Sequence, residues 1–193
     1  KALLVGIILK NETRADKEES LKELVNLVKT AGSSPTIIQM KRVEKVDPKT
    51  FIGKGSITEL VDISKANDID VVLFDCELTP NQQKELRTLF QCDVVDRTGL
   101  ILDIFALHAQ SKEATLQVEL ALTTYLKPRL AGLGKTLNQQ GGGIGTRGPG
   151  EAKLETDSRL IDNRINRLKK EIKKVAKQRQ VQSSFRRKNN TPL

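Results

Sequence analysis

Four apolar runs of strand length, separated by stretches of helical period, constrain the first half of this chain more than any other feature. The run from Ala2 to Leu9 (ALLVGIIL) is unbroken and ends in the polar KNETRADKEES, as expected of a strand covered on both faces. Thr36 to Met40 and Val71 to Phe74 read as a second and third strand, and Val94-Val95 end a fourth. Between them, a helix fits Asp16 to Ala31, with Leu21, Leu24, Val25 and Val28 on one face and Gly32 just past its end. A second helix, capped by Ser56, presents Ile57, Leu60, Val61 and Ile63. A third opens at Thr79-Pro80 and runs through Phe90, with proline at its first position. Residues Thr98 to Ala109 (TGLILDIFALHA) read as a helix returning onto the same body. This alternation predicts an α/β class: a small four-stranded parallel sheet with flanking helices and right-handed crossovers.

The second half has a different period. Leu116, Leu120, Thr123, Leu126 and Leu130 follow one helical stripe, with Pro128 loosening its last turn. Leu154, Ile161, Ile165, Leu168, Ile172 and Val175 form a heptad seam. Two seams joined by a loop predict a long antiparallel two-helix hairpin. If residues 152 to 182 are all helical, the second arm is about 45 Å long at 1.5 Å per residue, and its loop stands far from the α/β body. That loop is glycine-rich: eight of the thirteen glycines fall between 132 and 150, a density that costs backbone entropy on ordering. The domain division predicted is an α/β subdomain over 1–109, a helical hairpin over 110–185 with its tip at 132–150, and a linker over 186–193.

Charge divides along the same line. Residues 1 to 100 carry 15 basic and 16 acidic side chains, whereas 101 to 193 carry 18 and 8, which implies two bodies with different partners. Between Arg164 and Lys188 eleven basic residues are opposed by Glu171 alone. Like charges at i, i+4 weaken a free helix, so a polyanionic partner is favoured over simple solvation. Six aromatic residues, with no tryptophan, argue against base stacking and for recognition of shape and phosphate.

Other chemistries find little support. Cys76 and Cys92 sit in apolar runs and read as buried thiols, with no metal or disulfide spacing. No apolar run reaches membrane-spanning length and no leader opens the chain, so a cytoplasmic location is expected. The start at Lys1, inside a strand-like run, suggests a piece of a longer protein. His108, the sole histidine, lies on an apolar helix without a nucleophile set nearby and reads as structural. Gly134-Lys135-Thr136 matches only the second half of a P-loop, because Arg129 stands where the first glycine belongs. Gly53, Lys54 and Gly55 (in FIGKGS) could bring backbone N–H groups to an anion at a helix start, or form only a tight turn. Asp75, Asp93 and Asp96 sit near strand ends, where open α/β sheets bind ligands, and could equally be capping residues.

FIGKGS (51 to 56), FDCELTPNQQKEL (74 to 86), DRTGLILDIFALHA (96 to 109), LQVELALTTYLKPRL (116 to 130) and QQGGGIGTRGPGEAKLETDSRLIDNRI (139 to 165) together resemble the HflX GTPases. These are P-loop-class translation factors that bind the large ribosomal subunit. The resemblance implies an α/β subdomain, a two-helix subdomain and then a GTPase domain, which would begin where this sequence stops. GTP, magnesium and the hydrolytic residues belong to that further domain, and none is expected here.

The resemblance also implies a parent that splits or rescues ribosomes under stress. The hairpin would reach the 50S subunit and its rRNA, with the segment Gly141 to Glu151 nearing the peptidyl-transferase centre. The RNA-contacting residues expected are Gly141, Gly142, Gly143, Gly145, Thr146, Arg147, Gly148, Arg164, Arg167, Lys170 and Lys174. The partners expected are the large subunit and the protein's own GTPase domain. Two alternatives remain: nucleotide (ATP) binding or hydrolysis by the α/β subdomain through Lys54 and the acidic strand ends, and helices that merely restrain the GTPase domain.

Overall fold

The computed structural model describes the backbone of residues 1–137 and 149–188, and the side chains of 1–129 and 158–184. The chain separates into two compact units, Lys1–Leu107 and His108–Leu193.

The first unit is the expected four-stranded parallel sheet, in the order β2-β1-β3-β4. Strand β1 (Ala2–Leu9) is central and buried nearly throughout, which explains its uninterrupted apolar sequence. Strand β2 (Pro35–Val43) and strand β4 (Asp93–Asp96) form the edges, and β3 (Val71–Phe74) lies between β1 and β4. Leu3, Val5, Ile7, Val72, Phe74 and Val94 face one layer, packed by α2 (Lys54–Ala66) and α3 (Pro80–Phe90) through Ile57, Leu60, Leu86 and Phe90. Ala2, Leu4 and Leu73 face the other, under Leu21, Leu24 and Val28 of α1 (Arg14–Thr30) and Leu100 of α4 (Arg97–His108). Gly6 lets α1 approach: a Cβ there would lie 2.6 Å from Cδ1 of Leu21.

Local chemistry sets the helix ends. Thr13 caps α1 by accepting from the Asp16 N–H, so the helix begins two residues before the expected Asp16. Thr79 and Gln82 form a reciprocal capping box, with Pro80 in the first turn of α3. Ser56 is not the cap of α2. The Ile57 N–H already bonds the Gly53 carbonyl at 3.1 Å, so Gly53 caps the helix and Ser56 sits inside its first turn. Asp47 closes the loop before it: its carboxylate accepts from the N–H groups of Thr50 and Lys49, which hold it below the usual carboxylate range.

In the second unit α5 (Lys112–Leu137) and α6 (Pro149–Lys188) run antiparallel: Lys127 pairs with Asp162, Glu119 with Arg164 and Glu113 with Arg179. Pro128 does not loosen the end of α5, which continues to Leu137. The Arg129 guanidinium donates to the Tyr125 carbonyl at 2.9 Å and lies 3.5 Å from the centre of its ring, one turn back on the same helix. Helix α6, at 40 residues, spans about 60 Å, longer than expected. Leu116, Ile165 and Leu168 are buried along the seam, while Leu126, 44 % exposed, lies outside it.

Candidate nucleic-acid interface

The basic residues of α6 fall into two groups that differ in what they touch. Arg164 bonds Glu119 of α5 through both Nε and Nη2. Arg179 reaches Glu113 of α5 at 2.6 Å. Arg167 bonds Glu171 one turn along the same helix at 2.9 Å and holds that carboxyl below its usual range. These arginines are occupied within the hairpin, including Arg164 and Arg167 of the expected RNA-contacting set.

The lysines are not. Lys169, Lys170, Lys173, Lys174 and Lys177 are exposed and have no carboxylate partner among the described residues. At 3.6 residues per turn, Lys170, Lys173, Lys174 and Lys177 lie within an arc of about 100°, opposite Ile165, Leu168 and Ile172. The seam that buries one side of α6 therefore turns these lysines outward, with Lys169 on their flank. Of the expected set, Lys170 and Lys174 stand on this stripe. Lys169, Lys173 and Lys177 join them, and the sequence signal that marks them is the absence of an acid at i±4. Gly141, Gly142, Gly143, Gly145, Thr146, Arg147 and Gly148 lie outside the described residues.

At the carboxyl edge of the sheet, where the strand order reverses between β1 and β3, ligands of such folds bind. Here that position is filled by the protein's own charges. The Asp75 side chain, 1 % exposed, accepts from Arg97 Nη1 at 2.9 Å, Ser20 Oγ at 2.7 Å and Lys17 Nζ at 3.4 Å. Lys17 also pairs with Glu12, and Arg97 with Glu23. Asp96 caps α4 through the Gly99 N–H at 2.8 Å and accepts from the Leu78 N–H at 3.2 Å. Asp93 opens β4 rather than ending it, so it lies at the other edge, paired with Arg87. Cys76 and Cys92 are half-buried rather than buried, and burial first, then the Asp75 charge, pushes the Cys76 thiol up to about 12. His108 is the exposed last residue of α4.

Gly53 and Gly55 have open space where a side chain would stand, and the Gly53 cap makes no side-chain hydrogen bond. Neither glycine has the positive φ that would require it. Gly134, Lys135 and Thr136 are helical residues of α5, so their backbone cannot cradle phosphate as a P-loop does. Among the described residues no group of three His, Cys, Asp or Glu could hold a metal ion.

Two adjacent family models match this chain, the GTP-binding GTPase N-terminal region over 18–106 and the GTP-binding GTPase middle region over 108–186. Similar full-length proteins described as GTPase HflX include that of Flavobacterium psychrophilum, 44 % identical over 186 residues. That of Escherichia coli is 44 % identical over 192 residues. The chain belongs to the HflX family. It covers 45 % of the length of the first relative and 44 % of the second, while 96 % and 100 % of the chain align. HflX proteins thus share both units, and the family boundary near 107 coincides with the division between them. In fold, the chain is similar to a GTP-binding protein from the hyperthermophilic archaeon Sulfolobus solfataricus in complex with GDP. The TM-score is 0.59 at 24 % identity, over 91 % of this chain and 46 % of that one. Among the described residues no helix is long and apolar enough to cross a membrane.

Proposed function

We propose that this HflX-family chain is the part of a cytoplasmic, ribosome-associated GTPase that binds the large subunit. The hairpin grips rRNA and positions the GTPase domain, which would supply GTP and magnesium chemistry, for ribosome splitting or rescue under stress. The lysine stripe of α6, which has no carboxylate partner among the described residues, carries this reading. Lys169, Lys173 and Lys177 stand at successive i, i+4 positions, as do Lys170 and Lys174, so each repels its neighbours until an anion intervenes. An ammonium on a flexible stem suits phosphate oxygens whose position is set by RNA shape rather than base identity. Arg147 and the glycines of 141–148 are assigned to the same RNA surface.

With about five phosphates neutralised, log K for large subunits should fall with log salt at a slope of roughly −3.5 to −4.5. Co-sedimentation across a salt series measures it. A flat dependence, or no binding at low salt, rules the reading out.

The open space around Gly53 and Gly55 at the start of α2, where the Gly53 cap supplies no side-chain hydrogen bond, favours a second reading, nucleotide binding by the first unit with Lys54 adding charge. Calorimetry with ATP checks it. This reading requires saturable binding that Lys54→Ala removes, and the absence of any heat of binding to the unaltered chain eliminates it.

A further inference from the structure

Strand β2 is a nine-residue edge, and its outward row of backbone N–H and C=O groups pairs with no other strand among the described residues. Proteins blunt such edges with proline, charge or short length. Pro35 and the pair Lys41 and Arg42 do so at the two ends, whereas the middle, Ile37 to Met40, carries no charge. Beside this middle lies a half-open cavity of about 470 Å³, lined by Ile8, Arg14, Ile38, Gln39, Met40 and Arg42. Its apolar residues alternate along the strand, since Ile38, Met40 and Arg42 share a face and Ile8 pairs with Arg42 across the ladder. Helix α1 leaves this corner uncovered, and Ile38 is 49 % exposed.

The charge at the cavity is cationic. Arg42 has no carboxylate partner among the described residues, and Arg14 holds only the exposed i, i+4 pair with Glu18, which is weak. The nearby carboxylates in and just before α1 are already engaged: Glu12 accepts from the Leu9 N–H and pairs with Lys17, and Asp16 accepts from the Thr13 hydroxyl.

We propose that the β2 edge and this cavity receive an extended, acidic protein segment as a fifth strand. The segment's backbone pairs with β2, an apolar side chain on one alternation enters the space over Ile8, Ile38 and Met40, and a carboxylate two residues away reaches Arg42 or Arg14. Strand addition draws affinity from main-chain hydrogen bonds and specificity from pockets for alternate side chains, and this site offers both. Charge complementarity selects the acidic partner. The inference is independent of the lysine stripe on α6.

The test uses the whole 193-residue chain and a fluorescein-labelled, end-capped heptapeptide, Glu-Thr-Val-Thr-Val-Thr-Glu. Its palindromic pattern places a glutamate beside Arg42 in either strand direction. Fluorescence anisotropy is expected to show saturable binding, weakened at least about tenfold by Arg42→Glu and by Ile38→Asp. A counterpart with lysine at both ends should bind poorly to the unaltered chain and better to Arg42→Glu. Methylation of alternate peptide amides should abolish binding, and the amides of β2 should gain protection from hydrogen exchange in the complex. Equal affinity for the acidic and basic peptides, full affinity of the methylated peptide, indifference to both substitutions, or no binding at millimolar peptide would each overturn the proposal. So would saturation of the cavity by AMP with no response to the peptide, which would make it a nucleotide pocket instead.

Discussion

Replacing Lys170, Lys173, Lys174 and Lys177 together by glutamate is expected to weaken binding of the chain to isolated large ribosomal subunits by about 100-fold or more near 100 mM salt. The magnitude of the salt slope should fall by roughly three, since each phosphate contact contributes about 0.7 to 0.9. The four side chains point away from the seam and pair with no carboxylate among the described residues, so the helical circular dichroism should remain. Arg164→Ala and Arg179→Ala provide the contrast. Each removes a link to α5 and should loosen the hairpin while leaving the salt slope nearly unchanged, because those guanidiniums are already neutralised by Glu119 and Glu113. Unchanged co-sedimentation of the fourfold variant would reduce the stripe to a solvated helix face.

Asp75→Ala is expected to cost the first unit about 3–5 kcal/mol, most of the stability of a small domain. The reason is what it leaves behind. Lys17, with 10 % of its side chain exposed, and Arg97, with 26 %, would lose the buried carboxylate that joins α1, β3 and α4. Asp75→Asn should cost less, since the amide oxygen can still accept from Ser20. Asp93→Ala removes an exposed pair with Arg87 and should change stability by no more than about 1 kcal/mol. Hydrogen exchange of the β1 amides, which lie at the centre of the sheet, provides the measurement. Equal protection in Asp75→Ala and Asp93→Ala would show that the cluster is not a structural joint.

The two aspartates show how far local sequence reaches. Both stand beside short apolar runs, and nothing nearby distinguishes them. Their separation came from topology: Asp75 follows β3 at the carboxyl edge, where residues from α1 and α4 converge, while Asp93 opens β4 at the opposite edge. Asp96 needed less distant information, since its bond to the Gly99 N–H is a local helix cap. Ser56 failed as a cap because a compatible residue is not enough: the chain already turns helical at Lys54 once Ile52 is buried. Pro128 misled in the same manner, since α5 continues through it to Leu137.

Periodicity alone was sufficient for the parallel sheet, its two helical layers and the paired seams, because burial of apolar surface dominates folding and leaves its period in the chain. Which charges stay available could not be read in that way. Arg164 and Lys170 are both cations on one helix, yet the first is claimed by Glu119, 45 residues earlier, and the second faces away from α5. An ion pair is decided by distances between side chains, and those distances exist only once the two helices pack in register.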